Sequence, residues 1–309
     1  MKAAQFSQFG GPEVLQIVDL PDPHPGPGQV RIVVHAAGIS ATDPKLRAGT
    51  LRFGAQLPQT TGRDVAGVVD EIGEGVTDVA AGDRVFGVSD DGAGAAELAL
   101  LTFRAIIPAS LGFVDAAALP VALETATRAI DQLGVKSGST LFINGASGGI
   151  GSTAVQLAAT RGARVIGAAS AASQDYLGLL GAEPVTYGEG MAERVRALAP
   201  GGVDAALDVA GSGVLPQLID LAGGPRNVVT LADFDGSKEH GVRFSNGFAD
   251  GHAFHSLAEV GELIEAGRFW LPVDRIFPLT EIAEAHRTSE HGHVRGRLVL
   301  VIGAGMAPG

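Results

Sequence analysis

Leu141-Phe142-Ile143-Asn144-Gly145-Ala146-Ser147-Gly148-Gly149-Ile150-Gly151 decides the fold. Leu141 to Ile143 read as a buried strand of a parallel sheet, and beyond the glycines Ile150, Ala154, Leu157 and Ala158 recur at helical spacing. A strand that turns through glycine into a helix gathers unpaired backbone N–H groups and the positive end of the helix dipole at one point. A pyrophosphate binds at such a point. Ala146, Gly148 and Gly151 take the three small-residue positions of the dinucleotide fingerprint, with alanine replacing the first glycine. The expected binding segment is therefore Ala146, Ser147, Gly148, Gly149, Ile150 and Gly151.

Context decides whether such glycines bind a ligand or only turn the chain. Apolar runs follow at Arg164 to Ala169, Pro184 to Thr186, Ala205 to Val209 and Asn227 to Leu231, with helical sequence at Met191 to Leu198. This strand–helix alternation is the pattern of a doubly wound parallel sheet. In such a sheet the end of the second strand selects the cofactor. An NAD site carries Asp or Glu there, about 20 residues beyond the glycines, to accept from the ribose 2′-hydroxyl. Ser170 and Ser173 occupy this place, no carboxylate comes before Asp175, and Tyr187 offers a further hydroxyl after the next strand. Hydroxyls donate to a 2′-phosphate that a carboxylate would repel, so NADPH is expected over NADH. Gln174 and Asp175 stand where a cation would complete the site. The same serines also suit helix N-capping.

Global quantities point to a two-domain cytoplasmic enzyme. The chain has 309 residues and is 46% hydrophobic, enough for two cores. A net charge of −12 argues against nucleic acid and anionic membranes as partners. No apolar run approaches the ~18 residues of a membrane span. The amino end, with Lys2, Gln5, Ser7 and Gln8, lacks a secretory pattern. Without cysteine, disulfides, thiolate catalysis and cysteine–zinc sites are excluded. Residues 1–115 carry alternating valines among glycine and proline. Short strands at Val30 to Ala36, Val65 to Ile72 and Asp83 to Val88 read as a β-barrel. Residues 116–250 form the nucleotide-binding block. Residues 251–309 hold helices at Ser256 to Ala266 and Thr280 to Thr288, and strands at Val273 to Phe277 and Arg297 to Ile302. Gly303 to Gly309 is expected to fray.

A barrel, a nucleotide fold and a closing tail in this order resemble the medium-chain dehydrogenases/reductases, specifically their zinc-independent quinone oxidoreductase branch. The carriers begin with Phe9-Gly10-Gly11-Pro12-Glu13-Val14-Leu15, His35-Ala36-Ala37-Gly38-Ile39-Ser40 and Gly62-Arg63-Asp64-Val65-Ala66-Gly67-Val68-Val69. Gly82-Asp83-Arg84-Val85-Phe86-Gly87, the fingerprint with Gln156, Val273 to Leu279 and Gly296 to Leu300 continue the match. The resemblance implies an α/β chain with a GroES-like β-barrel catalytic domain over 1–115 and 251–309 and a Rossmann domain over 116–250. It further implies NADPH as cofactor and a homodimer. It places Thr125 on one side of the nicotinamide, with Ala210, Gly211, Leu231 and Ala232 on the other, at carboxyl ends of strands. Short-chain dehydrogenases resemble one another in opening with the glycines and using a Tyr-x-x-x-Lys pair. Here the glycines lie mid-chain, and Tyr176 and Tyr187 are followed four residues on by Leu180 and Met191. That reading fails.

Zinc alcohol dehydrogenases of the same superfamily take a cysteine where this chain has Ser40 and a histidine where it has Arg63. A guanidinium repels a metal. The pairs His252 with His255 and His291 with His293 have no evident third ligand and read as solvated side chains. Without a Lewis acid, a simple alcohol or isolated carbonyl is a hard substrate. A conjugated acceptor spreads the charge onto an oxygen that one hydrogen bond can stabilise. The expected substrate is a quinone, enone or enal, and Ser40, Lys45 and Arg63 are the candidate catalytic residues, with Ser40 as a neutral donor. Leu46, Ala95 and Leu98 stand where related quinone reductases carry aromatics, which leaves less surface to stack a quinone ring. Asp43 and Arg47 read as structural residues, in barrel salt bridges or turn caps. One alternative stays open, because relatives include NADPH-binding proteins with mainly structural or regulatory roles.

Overall fold

The computed structural model describes residues 1–51, 56–292 and 294–303. His293 and the tail from 304 onward, both named above, lie outside these residues. The chain divides into two compact units, Met1–Val121 with Leu257–Gly309, and Ala122–Ser256. Both joins fall a few residues beyond the expected 115 and 250. The first unit opens with β1 (Lys2–Phe6), β2 (Gln16–Asp19), β3 (Val30–Ile39), β4 (Gln59–Thr60), β5 (Asp64–Ile72), β6 (Arg84–Ser89) and β7 (Leu98–Ile106). The second contains β8 (Thr140–Asn144), β9 (Arg164–Ala169), β10 (Ala182–Thr186), β11 (Ala205–Asp208), β12 (Val228–Thr230) and β13 (Arg243–Phe244). The chain then returns to the first unit with β14 (Val273–Pro278) and β15 (Arg297–Val301).

In the first unit the strands run β14-β15-β3-β5-β6-β7, and β3 also pairs with β7, Val30 opposite Leu101 and Ile32 opposite Ala99. That last pairing closes β3, β5, β6 and β7 into a barrel and removes their free edges. Along β3 the side chains alternate as a half-buried strand requires. Val30, Ile32 and Val34 enter the core, whereas Val33 is 41% exposed. The register against β5 shifts between Val34 and Ala36, and from Ala36 to Ile39 every residue is buried. This stretch is covered by the helix Phe113–Ala117. A Cβ at Gly38 would lie 2.4 Å from the Ala117 carbonyl oxygen, so only glycine allows the approach. The result is a rigid strand that delivers Ser40 at its end.

The second unit is a parallel sheet in the order β10-β9-β8-β11-β12-β13. Counted from its first strand, that is 3-2-1-4-5-6, the order of dinucleotide-binding folds. Both faces are covered, as a parallel sheet demands. Leu141 and Ile143 join one core with Ala126, Ile130, Val155 and Leu177. Phe142, between them, joins the other with Met191, Val195, Leu215 and Leu218. Fully burying one such side chain contributes about 1.5–3 kcal/mol. The contiguous apolar runs in the sequence are therefore strands buried on two sides, and their carboxyl ends share one rim of the sheet.

Candidate cofactor and active site

The glycine turn begins where β8 stops, and three glycines meet three different demands. Gly145 has φ of +85°, and a Cβ there would lie 2.9 Å from the Ala210 Cβ. Gly151 lies in the first turn of the helix Gly149–Thr160, and its Cβ would come within 2.1 Å of the Gly145 carbonyl oxygen. Only glycine lets the helix sit this close to the strand. Gly148 differs. Its φ of −77° and ψ of 172° suit any residue, and among the described residues nothing lies nearer than 3.9 Å to its would-be Cβ. Its absent side chain leaves room for a ligand. Ser152 N–H is the first of the helix to find a carbonyl, that of Gly148, at 2.8 Å. The N–H groups before it are the orphan donors every helix start carries, and here they face an anion-ready space. Ala146, the first small residue of the fingerprint, turns inward. Its side chain is fully buried against Gly167 of β9, and the left-handed conformation falls on Gly145 instead.

At the end of β9, Ser170 and Ser173 occupy helix N-cap positions, yet neither side chain caps. Their hydroxyl oxygens lie 3.2 Å apart. Gln174 performs the tying role. Its Nε2 donates to the carbonyls of Ser170 at 2.9 Å, Val185 at 3.2 Å and Ala169 at 3.3 Å, joining the ends of β9 and β10. Tyr187 is 54% exposed, and its N–H donates to the Ala169 carbonyl. Arg194 is a nearby cation that the sequence reading omitted, and it donates to the Thr186 and Glu189 carbonyls. In a trans peptide the Thr186 carbonyl points opposite to the Tyr187 N–H, so Arg194 sits on the outer side of β10, away from the serines. The pair of hydroxyls thus keeps its neutral character.

Three residues overlooked in the sequence organise the rest of this rim. Asn144, Asp208 and Thr230 are the last residues of β8, β11 and β12. Asp208, with no exposed surface, accepts from Asn144 Nδ2 at 2.9 Å and Thr230 Oγ1 at 2.8 Å. It also accepts the N–H groups of Gly211 at 2.9 Å and Ala210 at 3.2 Å, while Thr230 Oγ1 accepts from Ala232 N–H at 3.2 Å. The segments Ala210-Gly211 and Leu231-Ala232 are held by this network. The available signal was a polar residue at or next to the end of each apolar run. Thr125, nearly one helical turn into the unit, donates to Glu124, which is itself buried with Arg128. His252 is not merely solvated, since it stacks on Phe254 at 4.5 Å and approaches Glu124 at 3.5 Å.

The barrel unit carries the other candidate residues. Ser40 Oγ donates to Asp43 Oδ2 at 2.9 Å, and the Ser40 N–H donates to the same oxygen at 2.7 Å. This is a turn cap, one of the two structural roles left open for Asp43, and it uses the one proton that Ser40 was expected to offer a substrate. Asp64 accepts from the Val121 N–H at 2.5 Å and pairs with Arg297, both side chains buried. Burial pushes the Asp64 carboxyl up to about 6, with Asp43 adding to the rise, against the pull of Arg297, the Val121 N–H and Arg63. Burial likewise raises Asp43, against the bonds from Ser40 and the charges of Arg297 and Arg63. Arg63 therefore lies within electrostatic reach of both carboxylates. Lys45 is exposed on the short helix Thr42–Ala48, and Arg47 is buried and pairs with Glu290. A hydroxyl already bound to Asp43 and a guanidinium do not make a zinc donor set.

Two protein families match the chain: the Alcohol dehydrogenase GroES-like domain over residues 26–109 and Zinc-binding dehydrogenase over residues 180–300. The quinone oxidoreductase of Sus scrofa is 41% identical over 173 residues, 55% of this chain and 53% of that protein. At this identity the chain spans about half the length of that relative. The structure of the quinone oxidoreductase from Coxiella burnetii is 32% identical, with a TM-score of 0.84, and the match covers 98% of this chain and 99% of that chain. A mycobacterial protein solved in complex with NADPH is 27% identical, with a TM-score of 0.85 over 97% of this chain and 100% of that chain. With these matches and its barrel, doubly wound sheet and returning tail, the chain belongs to the medium-chain dehydrogenase/reductase superfamily, in its quinone oxidoreductase-like branch.

Proposed function

We propose that the protein is an NADPH-dependent, zinc-independent reductase that passes hydride to a conjugated carbonyl compound, a quinone, enone or enal. The observation that carries this reading is the open space at Gly148, before the unpaired N–H groups of the following helix, together with the carboxylate-free serine pair at the end of β9. In this reading the backbone from Ser147 to Gly151 holds the pyrophosphate, and Ser170, Ser173 and Tyr187 donate to the 2′-phosphate. Thr125 and the segments Ala210-Gly211 and Leu231-Ala232 receive the nicotinamide end. When bound, NADPH supplies the hydride.

The choice of acceptor is supported by the name quinone oxidoreductase that relatives carry and by the barrel electrostatics. Ser40 and Arg63 offer no metal donor set, so an isolated carbonyl has no Lewis acid here to polarise it. A conjugated acceptor needs less help, because its anion is delocalised. The Ser40 proton is held by Asp43, so within the barrel unit the Arg63 guanidinium is the group that would meet the charge on such an anion, with Ser40 keeping the loop before Thr42–Ala48 in place. Initial rates on matched pairs, an enone beside its saturated ketone, test the reading. The enone is expected to react faster by on the order of a hundredfold. Equal rates would overturn the acceptor assignment. NADPH binding with no turnover of any conjugated acceptor would favour the structural or regulatory alternative.

A further inference from the structure

Thr125 and Glu124 are neighbours on the helix Pro120–Gln132, and their hydrogen bond has a direction. Thr125 Oγ1 lies 3.0 Å from Glu124 Oε2. The carboxylate is fixed from several sides: by Arg128 Nε at 2.7 Å and Nη2 at 3.3 Å, by the Ala253 N–H at 3.3 Å, and with His252 Nδ1 at 3.5 Å. Arg128 also reaches Ser245 Oγ, and the Ser245 N–H donates to the carbonyl of Thr230, the last residue of β12, at 3.0 Å. The network therefore hangs from the strand end that continues into Leu231 and Ala232. Burial works to raise the Glu124 carboxyl, but the bonds and charge from Arg128, helped by Ala253 and Thr125, bring it below its usual range. It stays ionised, and an ionised carboxylate only accepts.

The proton in the Thr125–Glu124 bond must then belong to Thr125. We infer that Glu124 sets the hydrogen-bond polarity of Thr125, so that its hydroxyl offers a bound cofactor lone pairs and no proton. A ligand group meeting Thr125 must donate. The carboxamide NH2 of a nicotinamide can do so, and an acyl group in its place cannot. Glu124 is thus a positioning residue that selects the carboxamide through its neighbour. The inference rests on the nicotinamide-cofactor reading above, and the experiment separates the two.

The probes are NADP+ and its 3-acetylpyridine analogue, in which a methyl group replaces the carboxamide NH2, titrated by calorimetry into the full chain. Wild type is expected to bind NADP+ about five- to tenfold tighter than the analogue, the span of one well-placed hydrogen bond. Thr125→Val should bring that ratio to about one, and Thr125→Ser should keep it. Glu124→Gln should also lower the ratio, because the amide can donate to Thr125 and free its proton to rotate. A merely structural Glu124 would weaken both ligands equally and leave the ratio alone. An unchanged ratio in Glu124→Gln, or in Thr125→Val should the first variant not fold, would overturn the inference. A wild-type ratio of one with normal NADP+ binding would overturn it while sparing the cofactor reading. No NADP+ binding at all would sink both.

Discussion

The two units build their candidate sites from different material. In Ala122–Ser256 the candidate anion site is main chain: orphan N–H groups, a left-handed turn at Gly145 and the open position of Gly148. In the barrel unit the corresponding region is a set of buried charges, Asp43, Asp64, Arg297 and Arg47, with the buried His286 nearby on the helix Ile282–His291. A site made of backbone is limited by space, and its tolerance to change is decided within an ångström. A site made of buried charge is limited by protonation, and its tolerance is decided by pH.

The sharpest way to break that contrast lies at two glycines three residues apart. Gly151→Ala would bring a Cβ to 2.1 Å from the Gly145 carbonyl oxygen and 2.8 Å from the Ala146 Cα, contacts with backbone that cannot rotate away. A loss of about 3 kcal/mol or more is expected, together with loss of NADPH binding. Gly148→Ala meets no neighbour and has an ordinary backbone conformation, so stability should hold within about 1 kcal/mol or rise slightly. NADPH affinity should nonetheless fall by about tenfold or more, because the methyl group enters the ligand's space. Thermal denaturation and NADPH titration of both variants check this. Unchanged affinity in Gly148→Ala would remove the ligand from that space.

The barrel's dependence on protonation shows at His286. It has no exposed surface, and neither ring nitrogen has a hydrogen-bond partner among the described residues. Burial, and after it the charge of Arg47, push its pKa down to about 3. The folded value lies below the ordinary 6.5, so the neutral ring is the form the fold accepts. Its contribution is fully present above pH 6.5 and is lost as pH falls toward 3, at about 1.4 kcal/mol per pH unit. Asp64 works with the opposite sign. With a folded value of about 6 against 3.8, its contribution is complete below pH 3.8 and is lost as pH rises through 6. Denaturant unfolding of wild type and His286→Leu between pH 4 and 7 isolates the histidine. The difference between the two curves should carry the slope, and parallel curves would show that the ring is not buried neutral.

The same contrast explains what could be read from the sequence. Strand runs and glycine spacing are local, and the elements from Leu141 to Leu231 were legible because each periodicity acts within a few residues. Ser40 and Asp43 lie three apart and bond within one turn, yet the sequence left Asp43 open between a salt bridge and a cap. The Asn144–Asp208–Thr230 network was not legible, since its members lie 64 and 22 residues apart and meet only through the parallel register of β8, β11 and β12. Asp64 and Arg297, 233 residues apart, meet only because the tail returns to the barrel. The left-handed turn at Gly145, one residue before the fingerprint's first small position, was not legible either, because sequence spacing does not report φ.

The smallest effect, and the one that sharpens the contrast most, concerns the neutral serine pair. If the cofactor unit owes its preference to the lack of a carboxylate, adding one should convert it. In Ser170→Asp the new carboxylate would repel a 2′-phosphate and accept from a free 2′-hydroxyl, so the NADPH/NADH affinity ratio should fall by about tenfold, or about 1.4 kcal/mol. The effect stays modest because Ser170 is only half-buried and water screens the new charge. The turn itself should survive, because the Gln174 side chain donates to the Ser170 main-chain carbonyl, a contact the substitution leaves in place. Fluorescence titration with both cofactors reads the ratio directly. A wild type that binds NADH more tightly would break the assignment of Ser170 and Ser173. An unchanged ratio in Ser170→Asp would move discrimination to Tyr187, whose exposed ring stands at the end of the neighbouring strand and whose Tyr187→Phe variant would then be the one to lose it.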